Sequence, residues 1–443
     1  MKSFKVHFIH IGHMANKGTQ GIFKSDVTII KELIDSNLSI SVSTTDIKGV
    51  KKLCLPLDVV LPPMIDIPYE KADNFARKYN FDRNSIEYKL YAVMSLIFMF
   101  FQAILSILSA IFIKLGLKPF YRKDVLDKIK NCDLVISGSD EIFKEASSLL
   151  SINFIWLINW WSMLFSRTWD VLIAKFFGKN LIMFPNSVGP FKTFIGRTLS
   201  KVALNCYDCI CIRENISFDI VKTLHLRCKK ILTSDISLLL PTISPKHVFS
   251  LNNLIGVCPG VYDSGMPKEK INKYINVHAK ALDRAINKYG LNVFFIPHYI
   301  SGLKNDDLYI SKLIIKNMVY NDKVKLIKTN SVDEFKSLLA SMDVVISSKM
   351  HPAVFATSEF TPTLCIAYDH KQIGFFRILG LSNYVISIQN VSLKNLSLKI
   401  DDLWRDRIDI KNKLINIIPK LKQKERVDIQ KVLSPYVSYI NDQ

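Results

Sequence analysis

The stretch 343–371, DVVISSKMHPAVFATSEFTPTLCIAYDHK, reads as strand, helix, strand. Asp343–Ser347 and Thr363–Ala367 are short apolar runs, and the segment from Pro352 to about Glu359 between them is helical. Two apolar strands joined by a helix are the repeating unit of a parallel sheet. The first strand runs into SSKMHP, so Ser348, Lys349 and His351 gather just ahead of Pro352, a residue suited to a first helical turn. Parallel sheets bind ligands beyond the carboxyl ends of their strands. A helix N-terminus with a lysine and a histidine beside it suits phosphate or carboxylate. An ordinary helix start with a solvated lysine uses the same residues.

The same alternation extends outward on both sides. Toward the N-terminus of this half, strands fall at Leu254–Cys258, Asn292–Ile296 and Val324–Ile327, with helices at Lys270–Tyr289 and Asp306–Met318. Ser331 with Glu334 opens another helix as a capping box. The first half places strands at Phe4–Ile11, Ser39–Ser43, Asp133–Ile136, Leu181–Phe184 and Cys209–Arg213. A loop, GHMANKGTQG, separates the first strand from a helix expected over Asp26–Ile34, and another helix is expected over Thr198–Asn205. Two blocks of this kind predict two Rossmann-like α/β domains with parallel sheets, 1–245 and 246–390, followed by a Lys-rich helical extension, 391–443. The strand ends of the first block deliver His13, Asn16, Gly18 and Gln20, then Gly138 and Ser139, then Asn186, Ser187 and Gly189. Those of the second deliver His298 after Pro297, then Ser348, Lys349 and His351, then Tyr368, Asp369 and Lys371.

Composition narrows the function. Of 443 residues 49% are hydrophobic and 22% charged, enough apolar content for full cores. Lys and Arg number 59 against 39 Asp and Glu, a net charge of +20. That excess suits an anionic substrate or an anionic membrane surface, although a Lys-, Ile- and Asn-rich coding bias produces it too. No nucleic-acid module or aromatic-basic stripe accompanies it, so no nucleic-acid partner is expected. The eight cysteines follow no secretory signal, and free thiols in a reducing cytosol are expected. Cys206, Cys209 and Cys211 read as strand cysteines rather than a zinc site, and no metal is expected.

Mean hydropathy is +0.18, high for a soluble chain, and the source is local. Leu90–Ile113 and Ala146–Ser166 carry no charge, and the second contains Trp156, Trp160 and Trp161. Each is long enough to span a bilayer. Spanning would place the strand at Asp133 across the membrane from those at Phe4 and Leu181, which belong to one sheet. Peripheral or monotopic attachment, with both segments dipping into one leaflet, is therefore expected, helped by basic flanks and the Trp cluster. A buried helical cap or a homo-oligomer contact is one alternative, and true spanning another.

A series of these motifs resembles the polysaccharide pyruvyl transferases. It comprises NKGTQGI at 16–22, DLVISGSDEIF at 133–143, NSVGPF at 186–191, RENIS at 213–217, SDISLLLP at 234–241, Pro297-His298, and the Ser-x-Arg-x-His signature with its downstream Tyr-x-x-Lys at 347–371. The order covers roughly 1–385. Two positions depart from the pattern: Lys349 stands for the family arginine, and Gly138-Ser139 for a Gly-Gly turn. The resemblance implies a GT-B-like fold with the site in the interdomain cleft, the N-terminal domain on the acceptor side and the C-terminal domain on the donor side. It implies transfer of the enolpyruvyl unit of phosphoenolpyruvate to a glycan or lipid-linked saccharide as a ketal, with no cofactor. It assigns Arg213, Lys349 and Ser348 to the donor, His351 and His298 to catalysis, and Asn16, Gly18, Ser139 and Asn186 to the acceptor side. The inner, cytoplasmic face of the cell membrane is the location that fits. A GT-B glycosyltransferase using a nucleotide sugar is the rival reading, with Glu359 and Asp369 as its nearest ribose-binding carboxylates; a non-catalytic membrane-peripheral assembly protein is another.

Overall fold

The structure, a computed structural model, describes residues 3–34, 37–79, 85–145, 154–241, 251–261, 267–301 and 306–441. The chain divides into two units, the first comprising Met1–Met14, Asp26–Thr233 and Val427–Gln443, the second Ala15–Ser25 and Ser234–Arg426. The expected domain boundary at 245/246 lies outside the described residues. The extension expected at 391–443 is shared between the units, dividing after Arg426.

The first unit carries β1 (Phe4–Ile11), β2 (Leu38–Thr44), β3 (Val59–Leu61), β4 (Leu134–Ser137), β5 (Asn180–Asn186), β6 (Cys209–Ile212) and β7 (Lys229–Leu232). They form one parallel sheet in the order β3-β2-β1-β4-β5-β6-β7. Its helices are α1 (Lys17–Leu33), which begins in the second unit's segment, α2 (Ile47–Lys52), α3 (Pro68–Tyr79), α4 (Ile86–Lys114), α5 (Lys123–Asn131), α6 (Phe154–Phe176), α7 (Phe194–Leu204) and α8 (Asn215–Lys222). The inner strands are buried along nearly their whole length, as strands covered on both faces are.

The second unit carries β8 (Leu254–Cys258), β9 (Asn292–Phe295), β10 (Val324–Leu326), β11 (Val344–Ser347), β12 (Thr363–Ala367) and β13 (Val385–Ser387). They are all parallel, in the order β10-β9-β8-β11-β12-β13. The helices are α9 (Lys268–Tyr289), α10 (Asp307–Lys316), α11 (Val332–Ala340), α12 (Met350–Ser358), α13 (His370–Ile378), α14 (Leu393–Arg405) and α15 (Arg407–Asn441), the last ending in the first unit's segment. In each sheet the order runs outward both ways from a central pair, β1/β4 and β8/β11. Those pairs are the switch points where a doubly wound sheet opens a crevice.

The departures from the sequence reading include α1 and three edge strands. α1 starts at Lys17 rather than Asp26, although Gly18 and Gly21 cost a helix about 1 kcal/mol each. Packing requires both glycines: a Cβ on Gly18 would stand 2.2 Å from His351 Nδ1, and one on Gly21 2.6 Å from Phe355 Cζ. β3, β7 and β13 are not expected from the sequence; all three are sheet edges, β3 and β13 very short and β7 opening with Lys229-Lys230, features that blunt a sheet edge.

The two apolar segments have different fates. α6 is drawn into the core, where Leu164, Val171, Ile173 and Ala174 are buried. From Leu157 to Ser166 its residues are each buried or half-buried. Trp161 donates to Glu145 and Thr193, both at 3.0 Å, and Trp169 to Ser106 at 2.8 Å, so these indoles hold the helix in place instead of facing an interface. The side chain of Trp156 lies outside the described residues. α4, in contrast, is long and apolar enough to cross a membrane and is buried on one side only.

Candidate functional site

In the second unit the β8/β11 crevice is built by backbone first. Ser347 pairs with Cys258 across the two strand ends, and the Ser348 N–H donates to the Cys258 carbonyl at 3.0 Å. Lys349 is the N-cap residue of α12, which sets His351 and Pro352 in its first turn. The Ser348 hydroxyl lies 2.6 Å from the buried Tyr274 hydroxyl, which accepts from the Gly260 N–H at 3.3 Å. Lys349 lies along Gly260, where a Cβ would meet its Cε at 2.1 Å. Its Nζ is 3.4 Å from Asp307, a carboxylate that is 1% exposed at the start of α10. Burial raises the Asp307 pKa, and Lys349 opposes that rise.

The start of α1 closes the other side of this site, within the same unit. Asn16 accepts from the Gly18 N–H at 2.8 Å, a helix N-cap bond, and its backbone bridges to Tyr299. The same N–H points at His298 Nε2, also at 2.8 Å. A ring nitrogen facing an N–H acts as acceptor, so the neutral proton of His298 sits on Nδ1. Nδ1 is buried and has no hydrogen-bond partner in the protein. Burial first, then the charges of His351, Lys349 and Lys17, hold the His298 pKa well below its usual value, so the ring is neutral. His351 is 6% exposed, and its ring centroid is 6.2 Å from that of His298. Lys17 is buried, 3.5 Å from the His298 carbonyl oxygen and 5.7 Å above the Phe335 ring. Burial lowers its pKa, opposed by Asp307, Cys258 and Glu334. The arrangement places two lysines and two histidines around one helix N-terminus, a setting that receives a small polyanion beside groups able to donate protons or hydrogen bonds.

The first unit holds the other expected residues. Arg213, 2% exposed beyond β6, donates from Nε to the Ser187 hydroxyl at 2.8 Å. Ser139 gives its N–H and hydroxyl to Asp26 at 2.9 and 2.7 Å. Asn186 donates to the Gly138 and Phe184 carbonyls and accepts from the Ile142 N–H. Both side chains are engaged in holding strand-end loops. A second polar cluster occupies the β1/β4 crevice of this unit. His10, the penultimate residue of β1, has a φ of 62°, in the left-handed region that a non-glycine residue seldom adopts. That turn brings its ring 2.8 Å from Ser137 Oγ on β4 and 3.0 Å from the Arg167 carbonyl on α6. Asp170 stands 3.6 Å from the same ring, with its pKa raised to about 7 by burial. Glu70 on α3, also raised by burial, feels the charges of Arg167 and His13, and His13 lies half-exposed, 3.3 Å from Asp46.

Lys17 lies within the NKGTQGI motif, but nothing in that motif distinguishes it from a solvated lysine. Asp307 carried no signal beyond its place near a strand end. Arg167 and Asp170 stand out in the sequence only as charges that, with Lys175, interrupt a largely apolar helix. Among the described residues no three His, Cys, Asp or Glu side chains converge as a metal site would require.

Two parallel sheets of doubly wound order, each with polar groups at its switch point, define a GT-B-like α/β protein. Solved structures agree on the fold. A UDP-N-acetylglucosamine 2-epimerase is similar at TM-score 0.59 and 11% identity, covering 98% of this chain and 97% of its own. The enzyme of that name from Neisseria meningitidis, bound to UDP-GlcNAc, is similar at 0.57 and 12%, covering 97% and 100%. Sucrose-phosphate synthase from Thermosynechococcus elongatus is similar at 0.55 and 9%, covering 98% and 100%. By sequence, amylovoran biosynthesis protein AmsJ of Erwinia amylovora is 20% identical over 316 residues, 68% of this chain and 72% of that protein. Residues 47–370 match the polysaccharide pyruvyl transferase family. The match spans most of the chain, which therefore belongs to that family.

Proposed function

We propose that the protein transfers the pyruvyl group of phosphoenolpyruvate to a sugar of a surface polysaccharide, or of its lipid-linked precursor, and releases phosphate. Family membership supports pyruvyl transfer, and the likeness to an amylovoran biosynthesis protein supports a polysaccharide acceptor. The observation that carries the donor is the gathering of Lys17, Lys349, His298 and His351 around the N-terminus of α12. The enol carbon C3 takes a proton, C2 becomes cationic, and one sugar hydroxyl adds to it. Phosphate leaves with the C2–O electron pair, and a second hydroxyl closes the ketal; of the two hydroxyl protons one restores His351 and the other leaves with the phosphate. His351 is the proton donor in this reading. Neutral His298 presents Nδ1–H to a donor oxygen, and the two lysines neutralise carboxylate and phosphate. Arg213 stands at a family donor position, and its own variant tests that role. The His10, Arg167, Asp170 and Glu70 cluster is the first unit's candidate for binding sugar hydroxyls, in place of Ser139 and Asn186.

The nucleotide-sugar reading has less support. Glu359 is ion-paired with Lys336 at 2.8 Å, and Asp369 caps α13 with its carboxylate 2.6 Å from His370. Neither is a ready ribose ligand. Thermal shift with phosphoenolpyruvate against UDP-sugars tests the proposal, since a ligand that binds the folded state raises the midpoint. A shift with phosphoenolpyruvate that His351→Ala and Lys349→Ala both diminish is the expected result. A shift with UDP-sugars alone favours the glycosyltransferase, and no shift with either favours an assembly role.

A further inference from the structure

The sides of α4 are chemically opposite. On the protein side, Ala92, Ala103, Ser106, Ser109 and Ala110 are buried. At its middle Gln102 donates to Asp66 at 2.7 Å and accepts from the Asp66 N–H at 3.1 Å. Asp66 in turn pairs with Lys71 at 2.7 Å and Arg122 at 3.0 Å. Ser109 accepts from the N–H groups of Phe120 and Tyr121, which closes the chain back on the helix. The outer side is a row of exposed Leu90, Met94, Ile97, Phe101, Ile104 and Leu108, three or four residues apart. At 1.5 Å per residue, the helix is about 43 Å long. From Tyr88 to Lys123 the sequence holds no carboxylate, while Lys89, Lys114, Lys118 and Lys123 sit at the two ends.

We infer that α4 is an in-plane membrane anchor: its outer face lies in one leaflet of an anionic bilayer and the helix does not span it. Two observations exclude spanning. β3 and β4 flank this part of the chain and belong to one sheet, and of α3, α4 and α5 between them only α4 passes as a span. A crossing would also carry the Gln102–Asp66–Arg122 network into hydrocarbon, where such charges are costly. Charge selects the occupant. Basic residues at both ends and none of opposite sign along the row match anionic headgroups beside acyl chains. A second copy laid antiparallel on the same face would set Lys89 against Lys114, with Glu87 of the first turn as the one carboxylate of the helix. The inference is independent of the catalytic reading.

Flotation of the full chain with phosphatidylcholine vesicles, with and without phosphatidylglycerol, tests it. The protein should float with the anionic vesicles and largely stay bound in high salt. Ile97→Glu with Phe101→Glu should weaken binding more than about tenfold without moving the unfolding midpoint, because both residues are more than half exposed, at 66% and 53%. In a Cys54→Ser, Cys206→Ser background, which removes the two thiols that are not buried, a fluorophore attached through Ile97→Cys should shift to the blue on binding, and one attached through Lys118→Cys should stay open to an aqueous quencher added outside the vesicles. Failure to float overturns the inference. So does a Lys118 probe reached only from the lumen, which means spanning, or a dimer that the double variant dissociates, which means a second copy covers the face.

Discussion

The backbone N–H of Gly18 lies 2.8 Å from Nε2 of His298, while a Cβ on the same glycine would collide with His351 at 2.2 Å. One residue at the start of α1 therefore sets the tautomer of one histidine and leaves room for the other. Gly18→Ala adds a better helix former, so local propensity alone favours it. The clash displaces His351, and we expect activity to fall by two orders of magnitude or more while overpacking costs about 1–3 kcal/mol. Steady-state kinetics with a urea melt check this; unchanged turnover in a folded variant would remove the contact from the site.

The motif resemblance sets Lys349 where the family pattern has arginine, and its ammonium sits by a buried carboxylate, 3.4 Å from Asp307. Lys349→Ala leaves Asp307 without that partner and should destabilise by about 3 kcal/mol, with a higher donor KM. Lys349→Arg should hold the charge and keep or lower the donor KM, through its forked geometry. A KM series with unfolding midpoints measures both, and equal behaviour of the two variants would argue against donor contact.

Stability depends on pH through the first unit. Asp170 has a folded pKa of about 7 against 3.8 in an open chain, so its ionisation opposes folding as pH rises through that window, fully above 7. Asp170→Asn should therefore stabilise the protein more at pH 8 than at pH 5. His10, lowered to about 3, acts in the other direction: its contribution is present above about 6.5 and is lost as pH falls. Urea melts at the two pH values report the sign, and a gain independent of pH would show that Asp170 is not held protonated.

Arg213→Ala should raise the donor requirement sharply, and Ser187→Ala more mildly, because Ser187 only orients the guanidinium through its 2.8 Å bond. Donor titrations distinguish this from a structural loss, which would lower kcat and the melting midpoint together without a KM change.

Much of the architecture was legible because parallel strands are short apolar runs: Phe4–Ile11, Asn180–Asn186 and Thr363–Ala367 sit where periodicity predicts. Ser331 caps α11 by accepting from the Glu334 N–H at 3.1 Å, the cap the sequence spells; the Glu334 carboxylate reaches Asn330 one residue earlier. The start of α1 was not legible, since Gly18 and Gly21 look like loop residues until His351 and Phe355 are packed against them. The two apolar segments looked alike, yet only α4 keeps its apolar face outside; Trp161 and Trp169 find partners that no local pattern announces. His298 and His351 both stand at strand ends in the sequence, but the amide that fixes the tautomer of the first comes from a residue 280 positions away.

The central claim is tested most directly by incubating the protein with phosphoenolpyruvate and the polysaccharide, or its lipid-linked precursor, from its own source, and following phosphate together with the proton NMR spectrum of the glycan. The account predicts phosphate release in step with a new ketal methyl signal, and loss of both in His351→Ala. Product formed from a nucleotide sugar, with phosphoenolpyruvate neither bound nor consumed, would contradict it.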